Sequence, residues 1–418
     1  MTIAVGSWEM VRRTSCRICD GPRLRPLFSL APTPLANQLV SADELQEPQR
    51  AYPLDLHFCD DCSHVQLLDV VNPEILFRDY VYVSGTSPTF VEHFRRYGED
   101  VMSRMALGPA ELVVDIGSND GTLLRFFKDK GIRVLGVEPA TRIAERTQAA
   151  GIDTIPAFLS KELALTIATE RGRASVIAAN NVFAHVDDLH GFVDAIRTLL
   201  APDGLFVFEV SYLLDVYEKT LFDTIYHEHL SYHCVKPLVT LFERHGMELV
   251  DVQRVSSHGG SLRGFAQHKD GAPRRPAVDA LNGAEAARGL HEPPAYRAFF
   301  HNIQQRKEEL RSLLGRLREN GKRIVGFGAP AKATTLMYHF ELGPDVLEYV
   351  IDESPLKQGL FTPGHHLPIV PSSRLYEDRP DYALILAWNF ADSVVRAHTR
   401  FSEQGGRFIV PLPKVEVC

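Results

Sequence analysis

Leu112-Val-Val-Asp115-Ile-Gly117-Ser-Asn119-Asp-Gly121-Thr-Leu-Leu-Arg-Phe-Phe127 is the stretch on which the fold turns. Its first half is short, apolar and β-branched, as a buried strand should be. Its second half has the apolar spacing of an amphipathic helix. Between them, Gly117 and Gly121 let the backbone approach a ligand closely. The pattern is not G-x-G-x-x-G and no P-loop lysine follows, so a pyrophosphate is not the obvious guest. The next apolar run, Arg133-Val-Leu-Gly-Val-Glu138, ends in an acid. In a doubly wound sheet an acid at that place can take two ribose hydroxyls. Strand, glycine turn, helix, strand and acid together predict an α/β nucleotide-cofactor fold.

The whole chain sets the bounds. Its 418 residues allow two or three domains. A net charge of −8 argues against a nucleic-acid partner, which normally needs a basic face. The longest apolar runs fall well short of the ~20 residues of a membrane span. The start, Met-Thr-Ile-Ala-Val-Gly-Ser-Trp-Glu, lacks a charged segment followed by a long apolar one, so a cytoplasmic protein is expected.

Upstream lie two Cys-x-x-Cys knuckles, Cys16/Cys19 and Cys59/Cys62. In a reducing compartment they predict a tetrahedral Zn(Cys)4 site rather than disulfides. Four thiolates leave no open position, so the zinc would be structural. A nucleic-acid zinc module is the rival, but clustered basic residues are few here. Between the knuckles, Ala31-Pro-Thr-Pro-Leu-Ala-Asn37 is too proline-rich for a helix. In Phe77-Arg-Asp-Tyr80-Val-Tyr82-Val-Ser84 the residues at 80, 82 and 84 would share one face of an extended segment.

Downstream, Ser160 is positioned to cap a helix. Ala174 to Asn180 forms a buried strand that opens into the polar loop Asn181-Val-Phe-Ala-His185. A helix over 189–200 stops at Pro202-Asp-Gly204, and Gly204-Leu-Phe-Val-Phe-Glu209-Val is the next strand. Past its exit comes Phe222-Asp-Thr-Ile-Tyr226-His227-Glu228-His229-Leu-Ser-Tyr232-His233. The cluster is therefore expected at the carboxyl edge of the sheet, where the cofactor should lie. Its imidazoles and acids can move protons near neutral pH. Surface or core histidines are the plain alternative. A metal is a third reading, because His229 and His233 are four apart and could share a helix face. No H-E-x-x-H register supports it, since Ser231 stands where the second histidine belongs.

Asp115-x-Gly117-x-x-x-Gly121 with Glu138 resembles the cofactor motifs of S-adenosylmethionine-dependent methyltransferases. The resemblance sharpens with the motifs in order. They are the two knuckles, Tyr80-x-Tyr82-x-Ser84, Asp115 to Gly121, Asn180-Asn-Val-Phe-Ala-His185, Tyr226-His-Glu-His229 and His258-Gly-Gly-Ser-Leu-Arg263. Gly326-Phe-Gly-Ala-Pro-Ala-Lys332 and Asp352-Glu-Ser-Pro-Leu-Lys357-Gln-Gly359 complete the set. Together they resemble the nucleotide-sugar C-methyltransferases of deoxysugar biosynthesis, including the three-domain 3-C-methyltransferases of tetronitrose and mycarose pathways. The resemblance implies a zinc-binding domain over 1–75, a methyltransferase domain over 76–275 and a Rossmann-like domain over 276–418 that completes the nucleotide-sugar site. It implies S-adenosylmethionine and structural zinc as cofactors. The substrate would be a nucleotide-linked 4-keto-deoxyhexose carrying thymidine diphosphate, and the chain a monomer.

The C-terminal third has its own pattern. Tyr296, Phe299, Phe300, Ile303, Leu310, Leu313, Leu314 and Leu317 predict a long amphipathic helix that stops at Asn320-Gly321. Arg323 to Leu336 is again strand, glycine turn and helix, with Lys332 near a helix N-terminus that suits an anion. Residues 347–352 and 382–389 are two further buried strands. No second methyltransferase motif is present, so one methyl donor per chain is expected.

Methylating a sugar carbon needs a carbanion equivalent, and a 4-keto group acidifies the neighbouring C–H. The resemblance implies His229 as the base that removes this proton. Tyr226, Glu228 and His185 would orient it or stabilise the enolate, and Glu228 could raise the basicity of an imidazole. Tyr80, Ser84, Asp115, Gly117, Asn119, Gly121, Glu138 and Asn180 are the cofactor candidates. His258, Arg263 and Lys332 are the substrate candidates. Methylation at C5, sugar O-methylation, epimerisation through the same enolate, and a zinc protein with a decayed methyltransferase core are the rivals.

Overall fold

The computed structural model describes residues 8–78, 85, 88–269 and 271–418, without the side chains of Pro88 and His258. It forms two compact units. One comprises residues up to Arg25, His57–Leu214 and Leu230–His291; the other comprises Pro26–Leu56, Asp215–His229 and Glu292–Cys418.

The first unit is built on a seven-stranded sheet. Its strands are β1 (Leu112–Ile116), β2 (Arg133–Val137), β3 (Thr154–Ile155), β4 (Ala174–Asn180), β5 (Leu200–Ser211), β6 (Met247–Val255) and β7 (Ser261–His268). The order is β3-β2-β1-β4-β5-β7-β6. Strands β1 to β5 run parallel, and β7 pairs antiparallel with both β5 and β6. Every residue of β1 is buried, as expected of a parallel strand covered on both faces. Val113, Val176 and Val207 pack with Leu124 and Phe127 of the helix Thr122–Asp129 and with Tyr97 of the helix Pro88–Arg104. This is the doubly wound methyltransferase fold. Strand order reverses between β1 and β4, which opens a crevice at their carboxyl ends.

Local expectations hold where a side chain carries them. Ser160 Oγ accepts from Leu163 N at 3.1 Å and starts the helix Lys161–Arg171. Strand β5 begins earlier than expected, at Leu200, which pairs with Ala174. The register then shifts before Leu205. That irregularity absorbs Pro202 and Gly204, which a regular ladder would reject.

The second unit carries β8 (Ile324–Phe327), β9 (Val350–Ile351), β10 (Ile369–Val370), β11 (Tyr382–Ile385), β12 (Arg407–Val410) and β13 (Glu416–Val417). They lie in the order β10-β9-β8-β11-β12-β13, and only the last pair is antiparallel. This is the second Rossmann-like sheet. Its strands are shorter than their apolar runs because the chain leaves the ladder after Ile351 and Ile385. Trp388 thereby enters a single turn, Trp388–Phe390. The helix Pro293–Glu319 buries Tyr296, Phe299, Ile303, Leu310 and Leu314. It stops at Asn320, with Gly321 left-handed at φ +68°. Among the described residues no helix is long and apolar enough to cross a membrane.

Candidate active site and metal centre

The two knuckles meet in the first unit. The sulfurs of Cys16, Cys19, Cys59 and Cys62 all lie within 4.8 Å of one another. Cys16 and Cys62 are 3.6 Å apart, and Cys19 and Cys59 are 3.5 Å apart. Four converging thiols in a mostly buried pocket are a donor set that fits zinc, and no coordination position remains for substrate. Arg17, between the first two cysteines, is fully buried. Its guanidinium bonds Asp187 at 3.0 Å, Gln66 at 3.2 Å and the Leu67 carbonyl. Burial lowers its pKa to about 10, against the pull of Asp187. The metal knuckle is thereby tied to the loop after β4 that carries His185.

At the carboxyl end of β1 the backbone is unusual. Gly117, Asn119 and Gly121 are left-handed, at φ +66°, +50° and +72°. A Cβ at Gly117 would stand 2.3 Å from Val182 Cγ2. Glu138, at the end of β2, accepts from Asn119 N and Ala140 N, each at 2.8 Å. The acid expected at the ribose therefore also ties the glycine turn to its strand. Burial raises its pKa. Asp115 is buried beneath, its pKa pushed well up by burial and then by the Glu138 charge. Both polar atoms of the Asn180 side chain, at the end of β4, are buried without a well-aligned hydrogen bond. The turn, the acid and the unmatched amide fit an adenosyl cofactor. Tyr80 and Ser84 lie outside the described residues, as does the side chain of His258.

Arg263, on β7, is occupied within the fold. Its Nε and Nη2 reach Glu209 Oε1 at 2.7 and 2.6 Å. Its Nη1 is 3.3 Å from Asp100, and its guanidinium lies 4.5 Å from the centre of the Tyr97 ring. The other Glu209 oxygen is 2.8 Å from His93 Nε2. Burial works to raise Glu209, but His93 and Arg263 more than offset it and hold the carboxyl below its ordinary range. His185, half-buried in the turn Phe183–His185, stacks on Phe77 with centroids 5.4 Å apart.

The histidine-rich run divides between the units, and residues 215–229 belong to the second. The run is not helical: a single turn spans Phe222–Thr224 and a short strand spans Ser231–Tyr232. His229 Nδ1 lies 2.7 Å from the Thr224 carbonyl. A carbonyl can only accept, so Nδ1 carries the proton and Nε2 presents its lone pair. Tyr226 Oη lies 3.1 Å from that Nε2 and donates to it. Burial lowers the His229 pKa to about 4, with Thr224 partly opposing, so the imidazole is neutral at physiological pH. Glu228 Oε1 accepts from Asn37 Nδ2 at 2.6 Å. His227 turns instead to the Tyr52 carbonyl at 3.2 Å, a structural role. Lys332 is part-buried, and its buried Nζ lies 3.3 Å from Asp223 Oδ2.

Family comparison matches three segments of this chain. Residues 16–77 match a putative zinc binding domain, 90–252 a methyltransferase domain and 256–413 a C-methyltransferase C-terminal domain. The C-methyltransferase NovU of Streptomyces niveus is 36% identical over 403 residues, 96% of each chain. The chain belongs to the C-methyltransferase family. Its methyl donor is S-adenosylmethionine and its cysteine cluster holds zinc. Solved structures resemble part of this C-methyltransferase. A SAM-dependent methyltransferase from Anabaena variabilis is 17% identical, covering 42% of this chain and 84% of its own at a TM-score of 0.35. The Burkholderia thailandensis 1,6-didemethyltoxoflavin-N1-methyltransferase is 20% identical, covering 42% and 78% at 0.33.

Asn37 and Trp388 escaped the reading of the sequence. Each is a lone residue in an unremarkable run, and only the contacts it makes give it meaning. Asp223 was visible as one acid of the histidine-rich run, but not as the partner of Lys332 and Trp388.

Proposed function

We propose that this C-methyltransferase methylates carbon, at C3, in a nucleotide-linked 4-keto-deoxyhexose, through an enolate raised by His229. The modules would be those expected over 1–75, 76–275 and 276–418, with thymidine diphosphate as the carrier. The observation that carries the reading is the state of His229. Its proton sits on Nδ1, held by Thr224, and Nε2 is an unprotonated acceptor in a part-buried site.

Burial keeps the imidazole deprotonated, and the Thr224 carbonyl stabilises the imidazolium that forms when Nε2 takes the substrate proton. Tyr226 donates to Nε2 in the resting state. Once that nitrogen is protonated, the tyrosine hydroxyl is released to donate to the enolate oxygen. Glu228, fixed by Asn37, would orient the acceptor. S-adenosylmethionine supplies the electrophilic methyl group when bound. Asp115, the turn from Gly117 to Gly121, Glu138 and Asn180 would bind its adenosyl portion.

The test is proton NMR of a thymidine-diphospho-4-keto-dideoxyhexose in D2O with enzyme and S-adenosylhomocysteine. Washout of the C3 proton is expected. Washout at C5 would move the methyl group to C5, and no washout at either carbon with binding established would end the enolate reading. His229→Asn should abolish washout and cut turnover at least ~100-fold while S-adenosylhomocysteine still binds. Near-normal turnover in that variant would remove His229 from the role.

A further inference from the structure

The residues around His229 are held by a buried ionic group that no catalytic assignment covers. Asp223 is fully buried. Its Oδ2 accepts from Trp388 Nε1 at 2.6 Å and lies 3.3 Å from Lys332 Nζ. The ammonium sits 4.3 Å from the centre of the Trp388 ring. One residue further on, the Thr224 carbonyl accepts a hydrogen bond from Nδ1–H of His229. The Thr224 hydroxyl donates to the Leu221 carbonyl at 2.6 Å. The next carbonyl, Ile225, accepts from Thr335 Oγ1 at 2.9 Å. Three successive residues are therefore anchored, and the middle one sets the tautomer of the base.

The anchors come from both sides of the switch point in the second sheet. Lys332 and Thr335 lie on the turn and helix that follow β8, and Trp388 lies on the turn that follows β11. A buried ion pair contributes little net stability, because desolvation offsets its attraction, but it demands one geometry. Here that geometry fixes the backbone beside a proton acceptor. It also accounts for a lysine near a helix N-terminus whose ammonium is turned to a carboxylate.

We propose that Lys332, Asp223 and Trp388 form a positioning clamp for His229, holding Thr224 so that its carbonyl keeps the proton on Nδ1 and leaves Nε2 unprotonated for the substrate proton. This rests on the reading of His229 as the base. Lys332, Asp223 and Trp388 are positioning residues: they act through Thr224 and touch neither substrate nor cofactor.

Trp388→Phe keeps an aromatic ring and removes only the Nε1 donor, and Lys332→Met keeps most of the side-chain length. Each should lower kcat and the C3 proton washout together by roughly ten-fold, because small misplacements of a reacting group are costly. KM for the nucleotide sugar should stay within about three-fold, since uniform binding is untouched. In 15N-histidine NMR, the His229 proton should be confined to Nδ1 in the native enzyme and spread to Nε2 in Trp388→Phe. In a His229→Asn background, Trp388→Phe should cost nothing more.

A Lys332→Met variant with raised KM and unchanged kcat would overturn the clamp and make Lys332 a substrate contact. Trp388→Phe with native kcat, washout and tautomer would overturn it as well. These results differ from failure of the base reading, which shows as near-normal turnover of His229→Asn itself. Thermal unfolding of Trp388→Phe, expected within a few degrees of native, excludes loss of fold as the cause.

Discussion

Replacing Arg263 by methionine tests whether that arginine serves the fold or the substrate. Its side chain is 7% exposed and that of its partner Glu209 is 2% exposed. Two guanidinium nitrogens, at 2.7 and 2.6 Å, converge on one carboxylate oxygen. Methionine fills much of the same space but leaves a buried carboxylate without its cation, with His93 at 2.8 Å and the Ser257 hydroxyl at 3.3 Å on its other oxygen. Breaking a buried pair in this way costs about 3–5 kcal/mol. For a domain of this size each kcal/mol lowers Tm by roughly 2–4 °C, so a fall of roughly 6–20 °C is expected by calorimetry at pH 7.5. The deficit should depend on pH with a definite sign. In the native protein Arg263 and His93 hold the Glu209 carboxyl down against burial. Without Arg263 less opposes burial, so the folded pKa of Glu209 rises from its depressed value. A depressed carboxyl contributes stability above its unfolded pKa and loses it as pH falls through the folded one, so the deficit left by losing Arg263 is largest near neutrality and narrows in acid. Adding Glu209→Gln removes the stranded charge and should restore part of the Tm. A Tm within about 2 °C of native for Arg263→Met, with a raised KM for the nucleotide sugar, would refute this reasoning and return Arg263 to the substrate.

Burial lowers the pKa of His227, His229, His233 and His339 to about 4. The unfolded chain binds more protons than the folded one between about pH 6.5 and 4, so stability should fall steadily as pH drops through that window; a flat urea midpoint from pH 7 to 5 would contradict it. Chelation, or Cys59→Ser, should remove one zinc per chain by atomic absorption and speed hydrogen exchange at 183–187, because Arg17 ties the knuckle to Asp187. Unchanged exchange there would mean that the loop stands without the metal. Gly117→Ala should weaken S-adenosylhomocysteine binding at least ~10-fold by calorimetry, since its φ is +66° and a Cβ would meet Val182 at 2.3 Å. Native affinity would show that the turn can shift without cost.

Much of this was written locally. Residues 112–138 carry strand, turn, helix and acid within about thirty positions, and such short-range patterns survive any tertiary context. The knuckles were legible because zinc dictates ligand type and spacing. The long helix, with its three- and four-residue apolar spacing and its glycine stop, was legible because that pattern is local. Strand ends were less legible. The apolar run past Ile385 continues through Leu386, Ala387 and Trp388, yet the ladder ends because its neighbours do. An early start for β5 was hidden by Pro202 and Gly204, which the register shift tolerates.

Charged side chains mark the division most clearly. From the sequence, Arg263 was a substrate candidate by resemblance alone, and Lys332 was a cation near a helix N-terminus that suits an anion. Tertiary structure paired them with Glu209, 54 residues away, and with Asp223 on another element. Composition and spacing determine which chemistry a chain can perform, because strand period, glycine turns and thiolate pairs are local. They do not determine which cation meets which acid. That is a matter of burial, and only the folded packing decides which charges lose water and must find each other.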